Sequence, residues 1–159
     1  MSGKTARIPP TPETLAAYAA AFNGSATLQH FGVTIDFPSL ERVRATIHPL
    51  RQELRGGLGS DAAVNGGVLA AMFDLVLGCC AALVDPTKRT ATMQLSMSFM
   101  RPLVGSRLLA EAWIDRTGRD TLFCSASIAG DSGEIVARAQ GVVKLTGRPW
   151  LDGSSPAIN

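Results

Sequence analysis

Residues 64–84, VNGGVLAAMFDLVLGCCAALV, carry a single charge, Asp74, in an otherwise apolar run. A surface helix shows polar residues along a whole face, so a run this apolar predicts a helix buried on nearly all sides, with the rest of the chain organised around it. Asp74 then needs a reason. An unpaired carboxylate taken out of water is costly and normally finds a partner or a proton, and the run supplies no Lys, Arg or His. Carboxylates in such surroundings gather at active sites, which makes Asp74 a candidate catalytic residue. The alternative is an Asp that reaches the surface or caps a neighbouring loop.

The start of the same helix supplies a second candidate. Asn65 is a good N-cap residue, and Gly66 and Gly67 have no side chains to block approach to the first backbone N–H groups. Those groups lack partners inside a helix, and the helix dipole adds partial positive charge, so an oxygen gaining negative charge would be stabilised there. Close packing or a tight turn is the other reading of the glycine pair. Gly66 and Asp74 lie eight residues apart, about 12 Å along a helix axis, too far to meet at one atom. Two antiparallel copies of the helix would bring Asp74 of one chain near Gly66 of the other, so a joint site predicts a homodimer.

The 159 residues suit one domain with a core of ordinary size, and a net charge of +2 without a basic stripe gives no reason to expect nucleic acid as a partner. The first residues, MSGKTARIPPTPE, contain no apolar signal core, which leads to the expectation of a cytoplasmic protein. Cys79, Cys80 and Cys124 are an odd count and read as small buried hydrophobes. No His/Cys/Asp cluster has metal-ligand spacing. The apolar run approaches the length of a membrane span, but Asp74, the glycine pair and the amphipathic strands that follow it argue against a membrane partner.

Along the chain, residues 11–23 begin with Pro12 and Glu13 and end at Asn23 and Gly24, the marks of a short leading helix. Residues 30–37 read as a strand closed by Pro38, and residues 41–48 alternate as its neighbour. His30 and His48 receive no catalytic role. Residues 50–63 form the longest irregular connection, with glycines that would let it close over a ligand. Four strand patterns follow the helix, at 90–100, 107–115, 121–129 and 134–145. In the first, Met93, Leu95, Met97 and Phe99 alternate against Thr92, Gln94, Ser96 and Ser98. Their spacing predicts an antiparallel meander covered on one face. The expected organisation is an N-terminal segment over 1–27, a single α+β domain over 28–146 and a flexible tail over 147–159, with the curved sheet wrapped around one helix.

That order, with NGGVLAAMFD at 65–74, TMQLSMSFMRP at 92–102 and GEIVARA at 133–139, resembles the hotdog-fold acyl-CoA thioesterases. The phenylacetate-degradation type and its 4-hydroxybenzoyl-CoA thioesterase relatives are the most similar. The resemblance covers about residues 28–145 and implies hydrolysis of an aryl or medium-chain acyl-CoA thioester. It assigns Gly66 as the backbone donor to the thioester oxygen, Asp74 as nucleophile or general base, and Asn65 to the position of the family's His. Thr92 matches a strand Ser/Thr that orients the attacking water or the acid. Gly59 stands where the family often has Asn or Gln. Coenzyme A enters as part of the substrate, with no separate cofactor and no metal. Gly67, Phe73 and Leu77 are the expected substrate contacts, beside Met72 and Met97. Arg101 and either Arg116 or Arg119 are candidates for the coenzyme A phosphates. The resemblance adds a homotetramer as the expected higher assembly. A non-catalytic acyl-CoA binding protein of the same fold is the alternative, because Asn65 and Gly59 depart from the pattern; a hotdog dehydratase would need a His where Asn65 stands.

Overall fold

The computed structural model describes residues 6–57 and 61–149. The chain opens with helix α1, Pro12–Asn23. Thr11 and Thr14 cap it reciprocally, each side-chain oxygen accepting the other's backbone N–H at 3.2 and 2.8 Å, and Pro12 presets the first turn. Leu15, Tyr18 and Ala19, spaced for one helical face, are buried. Asn23 then fastens the helix across the sheet edge: its amide donates to the Ile35 carbonyl at 2.9 Å and accepts the Ile35 N–H at 2.7 Å.

A second short helix, α2, spans Ala26–Phe31, where the sequence suggested that a strand begins at His30. Its brackets are local. The Ser25 hydroxyl accepts the Leu28 N–H, and Gly32 takes the left-handed conformation at φ +71° that ends a helix. Strand β1 starts only at Val33 and runs to Ser39, through Pro38, with a register shift between Asp36 and Ser39.

The remaining strands are β2 Arg42–Ile47, β3 Lys88–Phe99, β4 Leu108–Thr117, β5 Thr121–Ala129 and β6 Ile135–Pro149. They form one six-stranded antiparallel sheet in the order β1-β2-β4-β5-β6-β3. The expectation of a plain four-strand meander holds for β4, β5 and β6. It fails for β3, which crosses to the far edge beside β6 while β4 takes the place next to β2. The first three residues of the expected tail, Gly147 to Pro149, belong to β6; the rest of that tail lies outside the described residues.

Helix α3, Gly66–Cys79, packs on the concave side of this sheet, and a tighter turn, Cys80–Leu83, completes the apolar run. Gly66–Leu83 has a mean hydropathy of 2.0, long and apolar enough on its own to cross a membrane. Here one side of it packs on the strands: Leu69, Met72, Phe73, Val76 and Leu77 face the sheet's buried residues, among them Val43, Ala112, Leu122, Ile128 and Val143. At β6 the packing is tight: a Cβ on Gly141 would stand 3.0 Å from Leu77 Cδ1 of the helix and 3.1 Å from the Gln94 carbonyl oxygen of β3. After the helix, Asp85 is buried. It accepts the Ile8 N–H at 3.2 Å and the Thr87 hydroxyl at 2.6 Å, tying the N-terminal segment to the helix end.

Strand β3 departs from simple alternation. Thr92 pairs with Val143 and Gln94 with Val142, so Met93 is an extra residue with no opposite number. This bulge flips the register on either side. Thr92 therefore shares a face with Leu95, Met97 and Phe99, toward α3, although alternation placed it on the opposite face. Met93 is left 62% exposed.

Candidate active site

The helix start is built as its sequence suggests, with one refinement. The Asn65 side chain accepts the Gly67 N–H at 2.8 Å and donates to the Gly56 carbonyl at 2.9 Å. Both halves of the amide are thereby used to hold the connecting loop against the helix. The Gly66 N–H remains without a partner among the described residues, and a Cβ at Gly66 would meet nothing within 4 Å, so approach to it is open. Gly56, at φ +98°, makes the turn that brings its carbonyl to Asn65. Arg55 ties the loop base further, donating to the carbonyls of Ala62, Leu50 and Gly105. Gly59 lies outside the described residues.

Asp74 is exposed in the single chain, which corrects the expectation of a carboxylate buried inside it. The sheet covers one side of α3. The other side presents Gly66, Gly67 and Asp74 to solvent, with Val68, Ala70, Ala71 and Leu75 half-buried between them. Glycine and alanine make a stretch read as apolar without requiring that their face be covered within the chain.

Beside Asp74 opens a cavity of about 390 Å³. Asp74, Gly78 and Cys79 of α3 form one wall, Thr90 and Thr92 of β3 a second, and Tyr18 and Phe22 of α1 a third. Gly78 lies one turn beyond Asp74 on the same helix face, and a Cβ there would stand 3.7 Å from Thr92 Oγ1. The β3 bulge is thus what carries the Thr92 hydroxyl to the acid's side of the molecule. Tyr18 donates to Cys79 Sγ at 3.9 Å. Burial pushes the Cys79 thiol up to about 12, with the Asp74 charge adding to the rise, and burial likewise raises the Tyr18 hydroxyl. A thiol so far above neutrality is no nucleophile.

The other expected contacts are placed elsewhere. Phe73 and Leu77 are fully buried on the sheet side of α3, as is Met72, so they pack the core rather than line this cavity; Met97 is half-buried against the same core. Gly67 stays at the exposed helix start with its N–H taken by Asn65. Arg101 is exposed and ion-paired with Glu134 at 2.6 Å. Arg119 sits in the β4–β5 turn, its carbonyl accepting from Arg7. These two arginines flank opposite ends of β6: the Arg101 N–H reaches Val136 and the Asp120 carbonyl reaches Leu145, about 30 Å apart at strand rise. One bound coenzyme A cannot use both from the same chain at one end. His30 and His48 are exposed. Sequence reasoning missed Tyr18 and Phe22, which have no motif and reach the Asp74 cavity only through the tertiary placement of α1, and it missed Gly78, which lies one turn from Asp74 on α3 itself.

A curved antiparallel sheet around one helix, with an acid eight residues beyond an open glycine amide, is the hotdog architecture. Residues 62–137, a little under half of the chain, match the sequence profile of the Thioesterase superfamily. No curated protein matches the chain in sequence. Solved structures do match in fold. The PaaI protein of the Escherichia coli phenylacetic acid degradation operon is 18% identical, with 88% of this chain and 99% of that one covered at a TM-score of 0.76. A Haemophilus influenzae thioesterase is 16% identical, covering 88% and 93% at 0.72. A Shewanella oneidensis protein related to the thioesterase superfamily is 21% identical, covering 84% and 96% at 0.73.

Proposed function

We propose that this protein hydrolyses the thioester of an aryl or medium-chain acyl-CoA to the free acid and coenzyme A, as a homodimer. The observation that carries this reading is the meeting of Asp74 and the bulge-turned Thr92 at one cavity, with an open Gly66 N–H at the start of the same exposed helix face. Asp74 either takes the proton from the water that attacks the thioester carbonyl, so that the carbon–sulfur bond breaks and coenzyme A leaves as the thiolate beside the free acid, or attacks the carbonyl itself, expelling the thiolate and leaving an acyl–Asp anhydride that water then hydrolyses to the free acid and the regenerated carboxylate. Thr92 orients the attacking group. The Gly66 N–H stabilises the developing oxyanion, a contribution of about 3–4 kcal/mol per donor.

Two features support the dimer. The exposed stripe of α3 holds both reacting groups about 12 Å apart, which a single chain cannot bring to one carbonyl. Strand β3 has no fully buried residue, pairs only with β6 among the described strands, and leaves Met93, Phe99 and the adjoining Met100 exposed. An unpaired apolar edge of this kind invites a partner. An antiparallel second copy sets its Gly66 beside Asp74 of the first, and brings Arg101 of one copy and Arg119 of the other to the same end for the phosphates. A tetramer of two such dimers is the further assembly in this reading.

The test is thiol release from a panel of acyl-CoA thioesters, with light scattering for the oligomer. Asp74→Asn abolishes release and leaves the dimer intact; unchanged turnover removes Asp74 from the mechanism. A non-catalytic acyl-CoA binding protein is the second reading, favoured by the Asn65 amide, whose two halves are occupied in capping and loop contacts. Calorimetric binding of the thioesters without thiol release in the wild-type protein would establish that reading instead.

A further inference from the structure

The cavity beside Asp74 has an open side and a closed one. Asp74 and Ala91 are exposed at its mouth, while Gly78, Cys79 and Tyr18 are buried at its back. The back wall is packed from behind. The Tyr18 ring stands edge-on to Phe37 at 5.8 Å and tilted to Phe22 at 6.1 Å, and its hydroxyl is held at Cys79 Sγ. At about 390 Å³ the chamber falls toward the small end of ligand pockets, roughly 300–1,000 Å³. Its depth exists because residue 78 has no side chain: a Cβ there would make ordinary contact with Thr92 and with the Thr90 methyl, occupying space without clashing.

We infer that this chamber receives the acyl group, and that α1 sets the chain-length limit. Tyr18 and Phe22 form a fixed end wall that admits compact acyl groups and excludes long straight chains, and Gly78 supplies the width. The inference rests on the acyl-CoA reading and adds specificity-determining residues to it. Neither α1 residue touches the reacting carbonyl, so their substitution moves selectivity rather than chemistry. An aromatic wall also favours a flat acyl group over a flexible one of equal size through edge-to-face contact.

The experiment compares butyryl-, hexanoyl-, phenylacetyl- and palmitoyl-CoA with the wild-type protein, Phe22→Ala and Gly78→Ala. Both substitutions place a good helix former in a helix, and Gly78→Ala adds helix propensity, so the variants fold. In the wild type, kcat/KM for palmitoyl-CoA is at least about tenfold below that for hexanoyl-CoA. Phe22→Ala narrows that ratio about tenfold, and Gly78→Ala lowers kcat/KM for hexanoyl- and phenylacetyl-CoA about fivefold or more relative to butyryl-CoA. Palmitoyl-CoA turned over as well as hexanoyl-CoA, or a ratio unmoved by both variants, overturns the inference and leaves hydrolysis standing. Calorimetry with the corresponding S-alkyl thioethers of coenzyme A separates the two claims. If nothing is hydrolysed but thioether affinity keeps a length limit that Phe22→Ala relaxes, the hydrolytic reading fails and the chamber stands; affinity indifferent to length or to both variants overturns the chamber as well.

Discussion

At the scale of single residues, exposure and orientation decide what chemistry is available. Asp74 is apolar in its sequence neighbourhood and exposed in its chain, so its surroundings in the working protein are set by whatever covers α3. Thr92 and Thr90 are two residues apart on β3, both on the helix side, with different fates. Thr92 borders the cavity at the acid, whereas the Thr90 hydroxyl is buried with no hydrogen-bond partner among the described residues. A buried hydroxyl left unpaired costs about 1–3 kcal/mol. Replacing it with the isosteric methyl removes that cost, so Thr90→Val raises stability by about 1 kcal/mol in urea denaturation. A lower midpoint would mean that the hydroxyl is paired. Thr92→Val, by contrast, lowers kcat with little change in stability, because the hydroxyl it removes faces the cavity.

Among the elements, α3 and β3 do most to shape the site, and each does so through a local device. Asn65 caps α3 through the Gly67 N–H and holds Gly56 with the other end of the same amide. Asn65→Ala loses the cap and frees the loop, lowering stability by about 0.5–2 kcal/mol. Asn65→Asp keeps the acceptor for Gly67 but not the donor to Gly56, and recovers most of that loss while leaving the loop base looser to proteolysis. Equal destabilisation by both variants would assign the stability to the loop contact. On β3 the extra residue Met93 turns Thr92 inward. Reading the strand by alternation placed Thr92 outside because a bulge leaves no mark in the hydrophobic pattern: Thr92, Met93 and Gln94 alternate as well as any other triplet. The capping signals around α1 were legible, and Ser25 and Gly32 around α2 carry the same kind of signal. The apolar residues of 30–37 outweighed them in reading the sequence, while the backbone caps prevailed in the fold.

On the scale of the whole molecule, the closed core behind the cavity gives a pH signature. Cys79 is held up to about 12, and Tyr18 and Cys80 are also raised, Cys80 first by its hydrogen bond with Cys124 and then by burial. The unfolded chain releases these protons at lower pH than the folded one, near about 8.5 for the thiols and about 10 for the phenol. The stabilisation is therefore full below about pH 8.5 and is lost as pH rises above it, since the folded state then binds more protons. Thermal unfolding followed by circular dichroism shows a midpoint independent of these groups up to that pH and falling beyond it, with the thiols unreactive toward an aromatic disulfide reagent at pH 8 until the protein unfolds. Prompt thiol reaction at pH 8 in the folded protein would contradict the burial that sets this behaviour. At the same scale, α3 leaves Gly66 and Asp74 exposed on one face and β3 is an edge strand of the sheet, the surfaces that the proposed dimer would cover. If the proposed dimer is the working form, dissociation by dilution abolishes turnover without unfolding the chain, as read by thiol release and circular dichroism.

The sequence by itself determined the central helix, its cap at Asn65 and the strands that pack on it, because these depend on periodicity and capping chemistry. Only the tertiary structure decided that β3 lies beside β6, that Thr92 turns toward Asp74, that Phe73 and Leu77 belong to the core, and that α1 closes the cavity. Strand order and register are settled by contacts between residues far apart in the chain, and the free energy of those contacts is not written in any local window. The exposure of Asp74 belongs to the same class: a run of apolar residues states that its surface is to be covered, without stating whether its own chain or a neighbour covers it.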